Sequence, residues 1–243
     1  MPATLGDAEV EAYSRDGVIR IRQFFNHETI SEIRGEVERY TQEALPFQEK
    51  LDCTFEADGS TIRNLWRLEQ HSNYFRLLTE RQEVSNVVGK LIPGDAVLVG
   101  LETFNKPARI GSRVPLHQDN AYFCRTPPDV LTLWIAIDPV TVENGAVYYL
   151  KGSHRLGMLP TKPSGTAGNS IGLAQPPETP EAEQFCCTLR AGDLAIHHCQ
   201  TIHHSKPNHS EQSRLGLVMV FRSAQAETDP ALMEDYQATK KLG

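Results

Sequence analysis

The 243-residue chain has no long apolar run, no cluster of Lys and Arg, and no paired CxxC spacing among its five cysteines. Each absence removes a class of function. A membrane-spanning helix needs roughly 20 consecutive apolar residues, and no window approaches that length. Nucleic-acid backbones reward clustered cations, whereas this chain carries a formal charge of −7 and a pI near 5.7. Cys53, Cys124, Cys186, Cys187 and Cys199 form an odd set with the spacing of neither a structural zinc site nor a disulfide framework, so reduced thiols are expected. The stretch Met1–Asp7 lacks the charged and apolar segments of a secretory leader. The expectation is a cytoplasmic protein with a small-molecule partner, no nucleic-acid or membrane partner, and a monomeric or homodimeric state. What is present, 40% hydrophobic and 23% charged residues, suffices for one well-buried domain over residues 1–243.

The chain changes texture near its middle. Apolar residues fall at helical spacing over Asp7–Asp16, over His27 to about Leu45 behind a candidate cap at Asn26, and over Gln82–Leu91, where Pro93-Gly94 stops the pattern. Gly17–Ile21 reads as a short strand between the first two. From Asp95 onward, strand-like runs alternate with turn residues: Ala96–Phe104, Val130–Asp138, Ala146–Leu150, Phe185–Leu189, Leu194–His198 and Leu215–Arg222. This predicts a mainly β fold of jelly-roll type, with a helical N-terminal part (about 7–92), a barrel core (about 95–223) and a C-terminal helix (about 227–241). The Pro-, Gly-, Ser- and Thr-rich stretch 160–180 reads as a mobile loop over a site.

His117-Gln118-Asp119 is the pattern with most chemical content. A histidine and a carboxylate two apart on a strand face the same way and can grip one metal ion. Nine histidines and eleven aspartates in 243 positions give about 0.4 such triplets by chance, so context must carry the argument. The context is a strand end after Pro115, with Tyr122 and Phe123 just beyond as candidate pocket walls. A second histidine is needed, and His197, His198, His203 and His204 all compete, with His209 nearby. Adjacent histidines on a strand face opposite ways, which excludes either adjacent pair as joint ligands but does not choose among the four. Two histidines and one carboxylate on one side of an octahedral iron leave positions open for a cosubstrate and dioxygen. Cys199, although close by, is a poorer match for that chemistry.

Five blocks in order, Asn105-Lys106-Pro107, Leu116-His117-Gln118-Asp119, Trp134-Ile135-Ala136-Ile137-Asp138, Glu143-Asn144-Gly145-Ala146 and Gly152-Ser153-His154, are followed by Gly192-Asp193 and His203-His204-Ser205. With the opening Ser14-Arg15-Asp16-Gly17-Val18, they make the chain, from about Val10 to Ser223, resemble the phytanoyl-CoA dioxygenase family of Fe(II)- and 2-oxoglutarate-dependent oxygenases. The resemblance implies a double-stranded β-helix (jelly roll, cupin-like) and places the distal iron ligand at His203, because the family's arginine eleven positions later falls on Arg214. Lys151 departs from the family's usual proline and alters a turn rather than a ligand.

The resemblance implies Fe(II) on His117, Asp119 and His203 as the catalytic metal site, with 2-oxoglutarate and O2 as cosubstrates. Arg214 suits the distal carboxylate of 2-oxoglutarate, since a planar guanidinium can donate two parallel hydrogen bonds. Ser205, two residues after His203 and on the same face, can add a hydroxyl, and Trp134 is expected beside the cosubstrate. Tyr122, Asn64, Arg67, Arg113 and His154 are candidate substrate contacts around the barrel mouth, pointing to a small polar or anionic substrate. Retention of Asp119 argues for hydroxylation or a related oxidation rather than halogenation. The competing readings are a non-catalytic cupin-like binding barrel and a zinc hydrolase on the same three ligands.

Overall fold

Side-chain alternation along the strand Arg214–Ser223 sets up the architecture. Val218 and Val220 turn one way into an inner core with Val130, Trp134, Ala136, Tyr149 and Ala195, while Leu217, Met219 and Phe221 turn the other way into an outer core. A computed structural model describes residues 4–47 and 52–241. Seven strands form the larger sheet, in the spatial order Val18–Ile21, Leu194–His198, Val130–Ala136, Arg214–Ser223, Ala96–Lys106, Ile62–Leu65 and Cys53–Phe55. The smaller sheet has the order Phe185–Cys187, Val147–Tyr149, His203–Ser205, Val114–His117. Every strand pairing in both sheets is antiparallel. Two antiparallel sheets facing each other across the inner core make a double-stranded β-helix, as the sequence suggests.

The outer face of the larger sheet is covered by helices. Ile30, Ile33 and Val37 of His27–Arg39, Phe75 and Leu78 of Asn73–Thr79, and Val84, Val87 and Val88 of Gln82–Leu91 pack against Leu101, Leu133, Ile135, Leu217 and Met219. Burying each such side chain contributes about 1.5–3 kcal/mol, so this face supplies the rigid backing for the barrel interior. Asn26 caps its helix as expected, its side chain accepting from the Thr29 backbone at 2.8 Å. No helix of the described residues is long and apolar enough to cross a membrane.

Four segments differ from expectation. The second helix ends at Arg39, passes through a π turn over Tyr40–Ala44 and a 3-10 turn over Leu45–Phe47, because Pro46 has no N–H with which to continue the ladder. The stretch 160–180 is not an irregular loop: Thr161–Thr166 and Asn169–Leu173 pair as a hairpin, with Gly165 and Gly168 at positive φ near its turn. The C-terminal helix starts at Pro230 rather than 227, since Asp229 caps it by accepting from the backbones of Ala231 and Leu232 and proline suits the first helical position. Two short strands, Cys53–Phe55 and Ile62–Leu65, extend the large sheet from a segment too polar and too short to show a period.

Candidate active site

The site lies between the two sheets, where the strand Val114–His117 pairs with His203–Ser205 and sets His203 directly opposite His117. The two imidazole centroids are 4.2 Å apart. Asp119 is not on the strand, as the sequence reading had it, but at the start of the short helix Asn120–Phe123. The chain turns immediately after His117 and brings the carboxylate back under both rings. Asp119 Oδ1 is 3.4 Å from His117 Nε2 and 3.5 Å from His203 Nε2. Metal bonds of about 2.1 Å put mutually perpendicular ligands about 3 Å apart, so these three atoms can close on one ion with small adjustments. His117, Asp119 and His203 are the group of described residues whose ligating atoms converge in this way.

Neighbouring atoms prepare each ligand. His117 Nδ1 lies 2.8 Å from the Pro115 carbonyl and His203 Nδ1 lies 2.9 Å from the Thr201 carbonyl. A carbonyl can only accept, so both rings carry their proton on Nδ1 and turn a lone pair on Nε2 toward the centre. Burial, with His117 alongside, pushes His203 well below the usual histidine range and keeps it neutral. Burial works against ionisation of Asp119, yet His203, His117 and His197 together hold its carboxyl well below the usual carboxylate range. The donor set offered to the centre is therefore two imidazole Nε2 atoms and a carboxylate, open on one side.

His197, one of the competing histidines, also points inward. Its Nε2 is 2.9 Å from Asp119 Oδ2, the same oxygen to which Thr132 Oγ1 donates at 2.9 Å. The carboxylate accepts only, so His197 donates from Nε2, and its Nδ1 shares a 3.2 Å hydrogen bond with the Tyr149 hydroxyl. His197 thus occupies one oxygen of Asp119 and leaves Oδ1 for a metal. Losing a partner of this kind costs roughly 10- to 100-fold in metal affinity. His197→Phe is expected to weaken Fe(II) binding by that amount under anaerobic titration while the melting temperature of the metal-free protein stays close to that of the parent. Unchanged iron affinity would remove His197 from this role.

Arg214 begins the central strand on the inner face and is buried. Its Nη2 donates to the Gly145 carbonyl at 2.9 Å and its guanidinium carbon sits 4.9 Å from the centre of the Trp134 ring. Its Nε has no partner, and neither has Ser205 Oγ, although both atoms are buried. Burial lowers the guanidinium to about 10, which leaves it charged at neutral pH. Gly216 makes the stack fit: a Cβ there would lie 2.1 Å from a Trp134 ring carbon.

His117, Asp119, His203, Arg214, Ser205, Trp134 and Tyr122 line one cavity of about 210 Å³, smaller than the roughly 300–1,000 Å³ of drug-sized sites. The Tyr122 ring meets His117 edge-on at 6.0 Å, and its hydroxyl both donates to the Ile171 carbonyl and accepts from the Ile171 amide, each at 3.0 Å. The hairpin 161–173 is thereby fastened over the cavity, where Gly168 and Asn169 form part of the wall.

Four sequence-predicted substrate residues stand elsewhere. Asn64 is buried behind the wall and donates to the Thr103 carbonyl. Arg67, in the left-handed region at φ 57°, turns to Asp52. Arg113 offers its carbonyl to Arg63, and His154 packs against Ser14 and Gly17. None of the four is among the cavity-lining residues: Asn64, Arg67 and His154 are turned to other partners by their own backbone, which polarity does not encode. Glu102 lines the cavity and was missed.

The family model described as Phytanoyl-CoA dioxygenase (PhyH) matches residues 13–216. A Dictyostelium discoideum protein named phytanoyl-CoA dioxygenase domain-containing protein 1 homolog is 25% identical, over 89% of this chain and 91% of its own. A probable alpha-ketoglutarate-dependent hypophosphite dioxygenase of Stutzerimonas stutzeri is 28% identical, over 88% of this chain and 77% of its own. Among solved structures, the non-heme alpha ketoglutarate dependent carbocyclase SnoK from nogalamycin biosynthesis superposes with a TM-score of 0.75 at 20% identity, covering 95% of this chain and 90% of the other.

Proposed function

Because the chain belongs to the phytanoyl-CoA dioxygenase family, we propose that it is an Fe(II)- and 2-oxoglutarate-dependent dioxygenase that hydroxylates, or otherwise oxidises, an unactivated carbon of a small molecule. His117, Asp119 and His203 would hold the iron, and their donor set fits it. Bound there, iron with 2-oxoglutarate and O2 supplies the oxidising power, with succinate and CO2 as coproducts. This chain's own residues supply position and dryness. His117 and His203 keep their lone pairs aimed by the two backbone carbonyls. His197 and Thr132 hold Asp119 so that one oxygen remains free. Arg214 Nε and Ser205 Oγ are available to receive the distal carboxylate of 2-oxoglutarate.

The single observation carrying the reading is the pair of buried, unpartnered donors, Arg214 Nε and Ser205 Oγ, in the cavity of the metal triad. Buried polar atoms without partners cost about 1–3 kcal/mol each. A barrel that merely bound a metal, or a zinc hydrolase, would have no use for a buried cationic fork beside its ligands. A carboxylate-bearing cosubstrate uses both donors. The similar Stutzerimonas stutzeri protein, by its name, acts on a small oxyanion with alpha-ketoglutarate, which supports the size class and the cosubstrate.

The test is stoichiometric. Anaerobically reconstituted protein is expected to release succinate from 2-oxoglutarate when O2 is admitted, slowly without substrate and faster with it, and only with Fe(II). Zinc-loaded protein is expected to release none. Absence of succinate across a panel of small acids, amines and phosphonates would overturn the reading.

A further inference from the structure

Glu102 lies on the inner face of the strand Ala96–Lys106, directly opposite Val218, which is itself opposite Trp134. All three line the cavity. Glu102 is half-buried, and the fully buried acids have cationic partners: Asp193 with Arg22, Glu56 with Arg63, Asp52 with Arg67. Glu102 has none among the described residues, and the charges acting on it are those of Asp119 and Glu69, both acidic. Among the described residues Arg214 is the only Lys or Arg side chain lining the wall, and it donates to Gly145 and keeps its unpartnered Nε for the cosubstrate end rather than for Glu102. Beside Glu102 the wall is aromatic. Phe104 is two residues along the same face, and Trp66 meets the Phe104 ring edge-on at 5.7 Å.

An acid set in an apolar wall without a partner is costly unless a ligand completes it. An anion would add to the repulsion already exerted by two carboxylates. A neutral hydroxyl would supply one hydrogen bond and no charge. A cationic nitrogen matches the carboxylate and also favours the aromatic faces next to it. We propose that Glu102 is the substrate-recognition group of this cavity and receives a positively charged nitrogen on a small substrate. This deepens the dioxygenase reading and rests on it for the later oxidation, although not for binding itself. It narrows the small polar or anionic substrate expected from sequence to one that carries a cationic nitrogen; Asn64, Arg67, Arg113 and His154, which motivated that expectation, lie outside the cavity wall. Burial, with Asp119 and Glu69 nearby, pushes the Glu102 carboxyl up to about 8, so with no counter-charge it is largely protonated at neutral pH and a cationic nitrogen would draw it to the carboxylate form.

Both tryptophans of the chain, Trp66 and Trp134, line the cavity, so intrinsic fluorescence reports occupancy. The anaerobic Fe(II)–2-oxoglutarate protein would be titrated with propylammonium, 1-propanol and methylphosphonate. Wild type is expected to bind propylammonium at least tenfold more tightly than the other two. Glu102→Gln should lose that preference by tenfold or more, and Glu102→Asp should restore part of it, with circular dichroism and melting confirming that both variants fold. Equal affinity for propanol and propylammonium, or an undiminished preference in Glu102→Gln, would overturn the proposal. Preferential methylphosphonate binding that disappears in Glu102→Gln would overturn it too, showing a protonated acid donating to an oxyanion. Iron-dependent 2-oxoglutarate binding and succinate release are measured separately on wild type, so the dioxygenase reading and the ammonium selectivity can fail independently.

Discussion

Asp119→Ala is expected to abolish Fe(II)-dependent succinate formation and, in the same preparation, the stabilisation that Fe(II) gives the folded protein. Asp119 Oδ1 is the atom facing both imidazoles, at 3.4 and 3.5 Å, so its removal leaves two imidazoles and no anionic group at the proposed iron site. Loss of an outer partner costs roughly 10- to 100-fold in metal affinity, and loss of the charged ligand itself should exceed that range. Wild type in free Fe(II) at 100 times its dissociation constant gains about 2.7 kcal/mol, which a thermal shift resolves. The variant should gain nothing under the same conditions. Asp119→Ala also deprives His197 and Thr132 of their shared acceptor, so Asp119→Asn, which keeps the shape and removes the charge, is measured beside it as the control. If either variant retained the parent's iron-dependent shift and turnover, Asp119 would not be a ligand and the site would have to be rebuilt around His117, His203 and His197.

How far such a site can be read without coordinates depends on which physical signal each residue leaves. His117 and Asp119 announce themselves because local spacing carries chemistry. His203 does not: periodicity leaves four histidines in competition, and the choice comes from family spacing to Arg214. The structure shows why periodicity is insufficient, since both His197 and His203 point inward from different strands, one toward the carboxylate oxygen that the other leaves free. Barrel closure creates that relation, and no local pattern contains it. Strands such as Val130–Ala136 and Arg214–Ser223 are legible because long apolar runs with β-branched residues have few other uses. The hairpin 161–173 is not, because its Pro, Gly and Ser residues mark turns and say nothing about pairing across them.

Glu102 illustrates a signal present but unused. Within Ala96–Lys106, Leu101 joins the outer core while Glu102 and Phe104 face the cavity. A lone acid in the middle of a strand otherwise suited to the barrel wall conflicts with that pattern, and conflicts of this kind concentrate at functional sites. Arg67, Arg113 and His154 mislead for the converse reason: polar residues in loops near a barrel mouth are numerous, and their backbone conformation, as with Arg67 at φ 57°, directs them to local partners.

Arg214→Lys separates charge from geometry and should raise the 2-oxoglutarate concentration needed for half-maximal turnover by roughly ten- to 150-fold, the equivalent of losing about 1.5–3 kcal/mol from a charge-assisted hydrogen bond. A lysine keeps the positive charge but offers a point donor where the guanidinium presents a planar fork. It also leaves Gly145 without its donor and Trp134 without the plate stacked on it. Arg214→Ala should be worse, removing the charge as well. In both variants iron affinity should stay within a few-fold of wild type, because none of the three proposed metal ligands hydrogen-bonds to Arg214. At saturating 2-oxoglutarate the Lys variant should recover most of its turnover number, the signature of lost uniform binding rather than lost transition-state stabilisation. A fall in iron affinity parallel to the fall in 2-oxoglutarate affinity would make Arg214 a structural prop for Trp134, and an unchanged 2-oxoglutarate requirement would take the distal carboxylate away from this end of the cavity altogether.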